Sequence, residues 1–189
     1  MHDIECQRAI RSLLSEYSTY LTYGFSHQGQ PRQIVQIALS PMTAPTGYYH
    51  IYVEVRAATS RPLSSISSGK TMRNVEYECT IHVVDAAMPQ GLAVEPYEAM
   101  HSDFRELGNR IVSLLLASYH QSLATYADLF MGVLPCIIDP VTGMKFTVPR
   151  NSMEISKEND DQTWADPTTN TFVPLFYSRI NFSLFGGVT

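Results

Sequence analysis

The residues with the clearest chemical potential are Ser68, Gly69, Lys70 and Thr71, which resemble the end of a phosphate-binding loop. Such a loop needs another glycine five positions before Gly69, so that backbone donors wrap the phosphates, and Ser64 stands there. The loop must also open a helix, whose N-terminal dipole faces the anion. A strand pattern follows Thr71 instead, with apolar residues at every second position. We therefore interpret the run as part of a polar loop and not as a nucleotide site.

Histidine and cysteine spacing does not indicate a metal centre. His50 and His82 fall on the polar sides of two different strand patterns, without the paired spacing of a zinc site. Cys6, Cys79 and Cys136 are too widely spaced to describe a zinc knuckle or a disulfide framework. Cys79 lies on the apolar side of its strand pattern, so we expect it to be a small core residue.

Three glutamates, Glu54, Glu76 and Glu78, share the polar sides of two strand patterns. Paired carboxylates can exchange protons in acid–base catalysis. The chain has no GxSxG nucleophile motif, and no residue set that indicates a pocket accompanies these glutamates. The sequence therefore predicts an acidic sheet face, with no catalytic residue, no cofactor site and no metal site.

The elements that carry these residues follow from hydrophobic spacing. An apolar stripe at three- and four-residue intervals predicts an N-terminal helix that stops near Gly24, and a second stripe from Met100 to Leu115 predicts a second helix. The strand patterns lie at 32–40, 48–57, 74–84, 136–149 and 172–185. The order α-β-β-β-α-β-β(-β) predicts an α+β fold, in which two main helices pack on one face of an antiparallel-rich sheet.

Composition bounds the class of protein. The 189 residues are 44% hydrophobic, which suits one domain over 1–189, with a long loop at 57–72 and an acidic excursion at 151–171. A net charge of −5 argues against a general nucleic-acid binder, although acidic walls would let DNA slide past without sticking. The odd number and wide spacing of the cysteines indicate synthesis in a reducing cytoplasm. The start of the chain lacks a signal-peptide pattern, and no apolar run is long enough to span a bilayer, so we expect no membrane partner.

A family resemblance rests on four segments: RQIVQIALS, YYHIYVEVRAATSRPLSS, NVEYECTIHVVDAA and EPYEAMHSDFRELGNRIVSLL. Together they resemble the tail terminator (tail completion) proteins of long-tailed bacteriophages, of the lambda tail-terminator type. The resemblance implies a structural virion protein of the tail or neck, assembled in the host cytoplasm as a homo-hexameric ring. Such a ring caps the tail tube, ends its polymerisation and joins it to the head. The implied partners are the tail tube protein and a head completion or neck protein, and DNA passes without specific binding.

The resemblance also implies roles for two sets of residues. The sheet would face the channel or a neighbouring subunit, with the helices outside. Glu54, Glu76 and Glu78 would then line the channel. The long loop would reach the next ring through Arg61, Ile66, Lys70 and Arg73.

Other functions stay open at this level. A head-closure (stopper) protein or a tail tube subunit would belong to the same neck and tail assembly. A small enzyme of unidentified chemistry would need a concave pocket with convergent polar groups. A monomeric binding domain is a further alternative.

Overall fold

A mixed, curled sheet with helices on one face forms the fold. The computed structural model describes residues 2–27, 30–41, 49–62, 73–86, 97–119, 135–148, 156–166 and 171–188. The helices are α1 (Asp3–Glu16), α2 (Ser18–Leu21) and α3 (Tyr97–Tyr119). The strands are β1 (Ser26–His27), β2 (Gln30–Pro31), β3 (Gln36–Ala38), β4 (Tyr49–Pro62), β5 (Arg73–Ala86), β6 (Ile137–Ile138), β7 (Lys145–Thr147), β8 (Ser156–Asp166) and β9 (Thr171–Val188).

Seven strands form the main sheet, in the order β3-β4-β5-β9-β7-β6, and β8 pairs with β9 beside this path. β3 runs parallel to β4, whereas all the other pairs are antiparallel. A separate two-stranded ladder joins β1 and β2. These elements confirm the predicted α+β fold.

Alternation along the central strand divides the sheet into two faces. Val75, Tyr77, Cys79 and Ile81 are buried, whereas Glu78 between them is exposed. Successive strand residues point to opposite faces, so the apolar set forms one continuous surface. α1 covers this surface near Cys79, whose Sγ atom lies 3.7 Å from Cys6 Sγ. This hydrogen bond and burial raise the pKa of the Cys79 thiol, as expected for an inert core residue.

α3 covers the other end of the same face. The Phe104 ring stacks on Phe176 of β9, with 5.7 Å between the ring centroids. Phe176 is the register partner of Asp85, which shares a face with Cys79 by strand alternation. Both main helices therefore pack on one side, as predicted.

Among the described helices, none is long and apolar enough to cross a membrane.

The sequence predicts one N-terminal helix that stops near Gly24, whereas the structure divides it into α1, which ends at Glu16, and α2, which ends at Leu21. Gly24 has a φ of +82°, a conformation that residues with a Cβ rarely adopt. Arg110 of α3 holds the preceding turn, because its Nη1 donates to the carbonyl oxygens of Tyr20, Leu21 and Tyr23 at 3.2, 3.3 and 2.8 Å. Cationic side chains are favourable beside the last carbonyls of a helix.

Two stretches that the sequence assigned to loops belong to strands. Of the loop predicted at 57–72, Ala57–Pro62 instead continues β4 after a bulge between Val55 and Ala57, and 63–72 lie outside the described residues. The excursion predicted at 151–171 contains β8, paired with β9 throughout. Both stretches lack apolar alternation, and each is a strand because a long neighbour offers backbone partners.

A buried ion cluster fixes the start of the sheet to α3. Arg32 and Asp85 are fully buried, and Arg32 Nη2 lies 2.9 Å from Asp85 Oδ2. Arg32 Nη1 lies 3.5 Å from Asp103 Oδ2 on α3, and the guanidinium carbon lies 5.0 Å from the centroid of the Tyr49 ring. The cluster therefore joins the segment after β2, the end of β5 and α3.

The β6–β7 turn is organised around the buried Asp139. Arg8 of α1 donates to both carboxylate oxygens, from Nε at 3.0 Å and from Nη2 at 2.8 Å. The same oxygens accept from the backbone of Val141 and Thr142 and from the Thr142 hydroxyl. Gly143 completes the turn with a φ of +71°. Arg8 above all, together with the turn donors, holds the pKa of Asp139 well below its usual range.

This depressed pKa predicts how stability responds to acid. The unfolded aspartate titrates at about 3.9, so the Asp139 contribution is complete above that pH and is lost as pH falls toward the lower folded pKa. We expect Asp139→Asn to lower stability at neutral pH and to flatten the loss of stability below about pH 4. Arg8→Gln should flatten it too, because Arg8 is the main cause of the shift. Denaturant unfolding at several pH values measures this, and acid profiles parallel to wild type in both variants would contradict it.

Candidate functional site

The face of the sheet opposite the helices carries a cluster of polar and aromatic side chains. Glu54 is the register partner of Thr80, and His82 is the partner of both Tyr52 and Arg179. Directly paired residues share a face, so the side chains of three strands meet here. We call this surface the polar face: His50, Tyr52, Glu54, Glu76, Glu78, Thr80, His82, Tyr177, Arg179, Asn181 and Ser183.

His82 is the centre of the polar face. Its side chain is 6% exposed, and its ring lies parallel to the Tyr52 ring, with 4.0 Å between centroids and a 6° interplanar angle. Its Nε2 atom lies 3.0 Å from Glu54 Oε2, and its Nδ1 atom lies 2.5 Å from the Tyr177 hydroxyl. One imidazole therefore links β4, β5 and β9.

These partners assign the protons of the cluster. An ionised carboxylate only accepts hydrogen bonds, so His82 Nε2 carries a hydrogen and donates it to Glu54. In a neutral ring Nδ1 then accepts a hydrogen bond from the Tyr177 hydroxyl. Burial lowers the pKa of His82 despite the nearby carboxylate, which favours this neutral form. The His82 hydrogen bond in turn lowers the pKa of Glu54.

The order hydroxyl, imidazole, carboxylate is the one that activates nucleophiles in catalytic triads. Activation requires a hydroxyl that loses its proton readily. Burial instead raises the pKa of Tyr177 to about 12, so this hydroxyl stays protonated at neutral pH. The arrangement suits hydrogen bonds that hold three strands together better than it suits nucleophilic catalysis.

Protonation of His82 should weaken the fold. The folded pKa lies below the unfolded value of about 6.5, so the unfolded chain takes up a proton first and stability falls as pH drops below that value. His82→Phe removes this titration and keeps a ring to stack on Tyr52. We expect wild type to lose more stability than the variant between about pH 7.5 and about pH 5.5, measured by urea unfolding. Equal losses would show that His82 does not have this role.

The three predicted glutamates share the polar face, although they do not act alike. Glu54 contacts His82, and it also lies 3.5 Å from Arg56 Nε. Glu76 and Glu78 lie further along β5, opposite Thr59 and Ala57 of β4. The structure therefore separates one carboxylate that holds His82 from two that continue along the strand.

The predicted inter-ring residues fall at one end of the sheet. Arg61 lies in β4 opposite Asn74, and Arg73 begins β5 opposite Pro62. The structure thus places two of the four in strands that lead to and from the predicted loop. Ile66 and Lys70 lie outside the described residues.

Sequence reasoning missed Tyr177 and Arg179. Both alternate with buried residues in the pattern FYSRINF, which was the available signal. Arg179 adds positive charge to a face predicted to be acidic, and its guanidinium carbon lies 5.8 Å from the centroid of the Tyr177 ring. Thr80 and Asn181 add a neutral hydrogen bond of 2.9 Å.

A second candidate site is concave and lies away from the polar face. A cavity of about 870 Å³ lies between the end of α2 and α3, lined by residues that include Tyr23, His101, Arg105 and Glu106. Arg110 also lines it, and this side chain already donates hydrogen bonds to carbonyl oxygens at the end of α2.

Within the part of the chain that the structure describes, no group of three or more His, Cys, Asp or Glu residues is placed to hold a metal ion.

Comparison with known proteins gives no family for this chain. No protein-family model matches it, and no curated protein sequence is significantly similar to it.

Proposed function

We propose that this protein is a structural subunit of a bacteriophage virion: a tail terminator, located in the tail or neck. It forms a ring, with a hexamer as the expected state. The ring caps the tail tube, ends its polymerisation and joins it to the head. Its partners are further copies of itself, the tail tube protein and a head completion or neck protein.

The observation that carries this proposal is the one-sided sheet. Helices cover the apolar face, whereas the opposite face presents side chains that are bonded to one another across three strands. A broad surface of this kind, on a rigid sheet, suits the wall of a channel. The helices would then lie on the outside of the ring, consistent with the order of elements in the terminator family that the sequence resembles.

The charge of the polar face suits passage of DNA. Glu76 and Glu78 place two carboxylates on β5 away from Arg179, and carboxylates repel the phosphate backbone. Arg56 lies close to the Glu54 carboxylate, which offsets part of the positive charge of Arg56. Such a wall would let DNA slide without specific binding.

The far end of the sheet suits a contact between rings. β4, β5 and β9 end in one row, in which Pro62 is opposite Arg73 and Arg73 is opposite Val188. The segment that joins β4 to β5 leaves from this row. Arg61, Ile66, Lys70 and Arg73 are proposed to contact the neighbouring ring there.

Electron microscopy of the purified protein tests this function. A terminator should form single closed rings with a central channel and should stop at that size. Long tubes assembled by the protein alone would favour a tail tube subunit instead. Isolated globules would contradict both. A head-closure (stopper) protein also forms a ring, and adding assembled tails or filled heads distinguishes the two, because a terminator ring must bind the tail.

The second candidate function, an enzyme, has one observation in its favour. The hydrogen bonds from Tyr177 through His82 to Glu54 follow the order of a catalytic relay. The raised pKa of Tyr177 opposes its use as a nucleophile at neutral pH. A pH-dependent covalent adduct on Tyr177, detected with a tyrosine-reactive acylating reagent and lost in His82→Phe, would support this alternative.

A further inference from the structure

Four stretches of sheet edge have no partner strand within the described residues, namely the outer sides of β3, β6 and β8 and part of β4, and the two long ones are those of β8 and β4. β8 pairs with β9 along Ser156–Asp166, and no described strand lies on its outer side. Among the described strands, β3 covers β4 only from His50 to Tyr52, so Val53–Pro62 pairs with β5 alone. The Val53 carbonyl oxygen also accepts a hydrogen bond of 3.2 Å from Gln7 Nε2 of α1. Open edges present N–H and C=O groups that can pair with another chain.

We propose that these two edges pair with each other between neighbouring copies of the chain. The outer edge of β8 in one copy lies antiparallel to Val53–Pro62 of β4 in the next copy. This inference rests on the ring proposed above and names the surfaces that would close it. The occupant of each edge is a second copy of the same protein.

The strand directions support this pairing. From β4 to β5, from β5 to β9 and from β9 to β8, each step is antiparallel, so β4 and β8 run in opposite directions at opposite sides of the sheet. Rotation about an axis inclined to the strands, as in a sheet that closes on itself, keeps the two strands antiparallel and shifts them along their length. It brings β8 of one copy beside β4 of the next as an antiparallel pair. Such a head-to-tail contact forms a ring when the rotation between copies closes, as the proposed hexamer requires.

The charges of the two edges are complementary. The open part of β4 carries Arg56 and Arg61, and its one carboxylate, Glu54, already contacts His82. β8 carries four acidic residues and one lysine: Lys157, Glu158, Asp160, Asp161 and Asp166. Opposite charges favour β8 against β4, and like charges disfavour β8 against β8. The charge pattern therefore favours the head-to-tail arrangement over a two-fold dimer.

The pairing requires a shift along the strands between copies. Asn159 of β8 lies in one row with Ser178, Val83 and Ile51, where β3 already covers β4. The open part of β4 lies beyond this row. Sheets that close on themselves have tilted strands and a fixed stagger, so a shift of this kind is expected.

Disulfide trapping tests the pairing. In a Cys136→Ser background, Asn159→Cys is combined in turn with one cysteine on β4, and the purified ring is oxidised with copper phenanthroline. The β4 series is Ala57→Cys, Ala58→Cys, Thr59→Cys and Ser60→Cys. Because strand side chains alternate between faces, we expect crosslinks with one alternating pair of these positions and not with the other. Bands at multiples of the mass of the chain should appear on a non-reducing gel. Chains that carry only one of the two introduced cysteines should give no such bands.

The outcomes separate this inference from the proposed function. Rings of normal mass that give no crosslink at any of the four positions would overturn the edge pairing and leave the ring intact. Crosslinked dimers from Asn159→Cys alone would also overturn it, because they would show β8 against β8. Monomers before oxidation would contradict both the pairing and the proposed function.

Charge reversal gives an independent test. We expect Asp160→Lys with Asp161→Lys to raise the dissociation constant of the ring by about tenfold or more, because like charges would meet across the seam. Arg56→Glu with Arg61→Glu should do the same. The chain that carries all four changes should regain the ring, since the charges are then complementary again. Glu16→Lys on α1 is the control and should leave assembly unchanged. Failure of the fourfold variant to reassemble, with its thermal melting unchanged, would overturn the pairing.

Discussion

Arg32→Met is expected to lower the free energy of unfolding by about 3–5 kcal/mol, the usual loss when one partner of a buried ion pair is removed. Arg32 and Asp85 are both fully buried, with 2.9 Å between Nη2 and Oδ2. Without the guanidinium, the Asp85 carboxylate would have to keep its charge in an apolar setting or take up a proton. Urea unfolding at a fixed protein concentration measures the loss, since assembly adds to apparent stability.

A matched arginine and a double variant make this result specific. Arg11 is exposed on α1, so Arg11→Met should change stability by no more than about 0.5 kcal/mol. Arg32→Met combined with Asp85→Leu removes both charges and should cost less than the two single losses added together. Equal effects of Arg32→Met and Arg11→Met would show that the buried cluster does not stabilise the fold.

Glu76→Lys with Glu78→Lys is expected to convert the polar face into a surface that holds DNA. Each lysine that reaches a phosphate releases counterions, and each such contact steepens the salt dependence of log K by about 0.9. We therefore expect wild type to bind duplex DNA undetectably and the variant to bind it strongly at low salt. Fluorescence anisotropy with a labelled duplex, across a salt series, measures both quantities.

Two controls test whether the charge acts inside a channel. Asp3→Lys with Glu16→Lys changes the net charge by the same amount on α1, where both residues are exposed. This variant should bind more weakly and with a shallower salt dependence. A preformed ring can thread onto linear DNA but not onto a closed circle, so the polar-face variant should prefer the linear form. Equal binding by the two variants, or equal binding to linear and circular DNA, would contradict a channel lined by Glu76 and Glu78.

Strands with one buried face could be predicted from sequence because apolar and polar residues alternate along them without interruption. Val75, Tyr77, Cys79 and Ile81 are apolar at every second position, and only a sheet with one buried face uses that pattern fully. The two main helices followed from their stripes in the same way. β8 could not be predicted, because Ser156–Asp166 is polar throughout and is a strand through pairing with β9.

The polar face could be predicted only in part. The alternation placed Glu54 and His82 on polar sides, yet their contact depends on which strands become neighbours. Tyr177 is 95 positions from His82, and Glu54 is 28 positions away. β5 lies between β4 and β9, which single-sequence periodicity does not specify. The Arg32–Asp85 pair was missed for the same reason, and Arg32 was assigned to a strand.

The molecular mass of the purified protein in solution shows whether the chain forms the proposed ring. Light scattering or native mass spectrometry should give one dominant species of six copies of the 21.2-kDa chain, unchanged over a range of protein concentrations. A monomer of 21.2 kDa at every concentration would contradict a ring-forming terminator and the channel wall inferred from it.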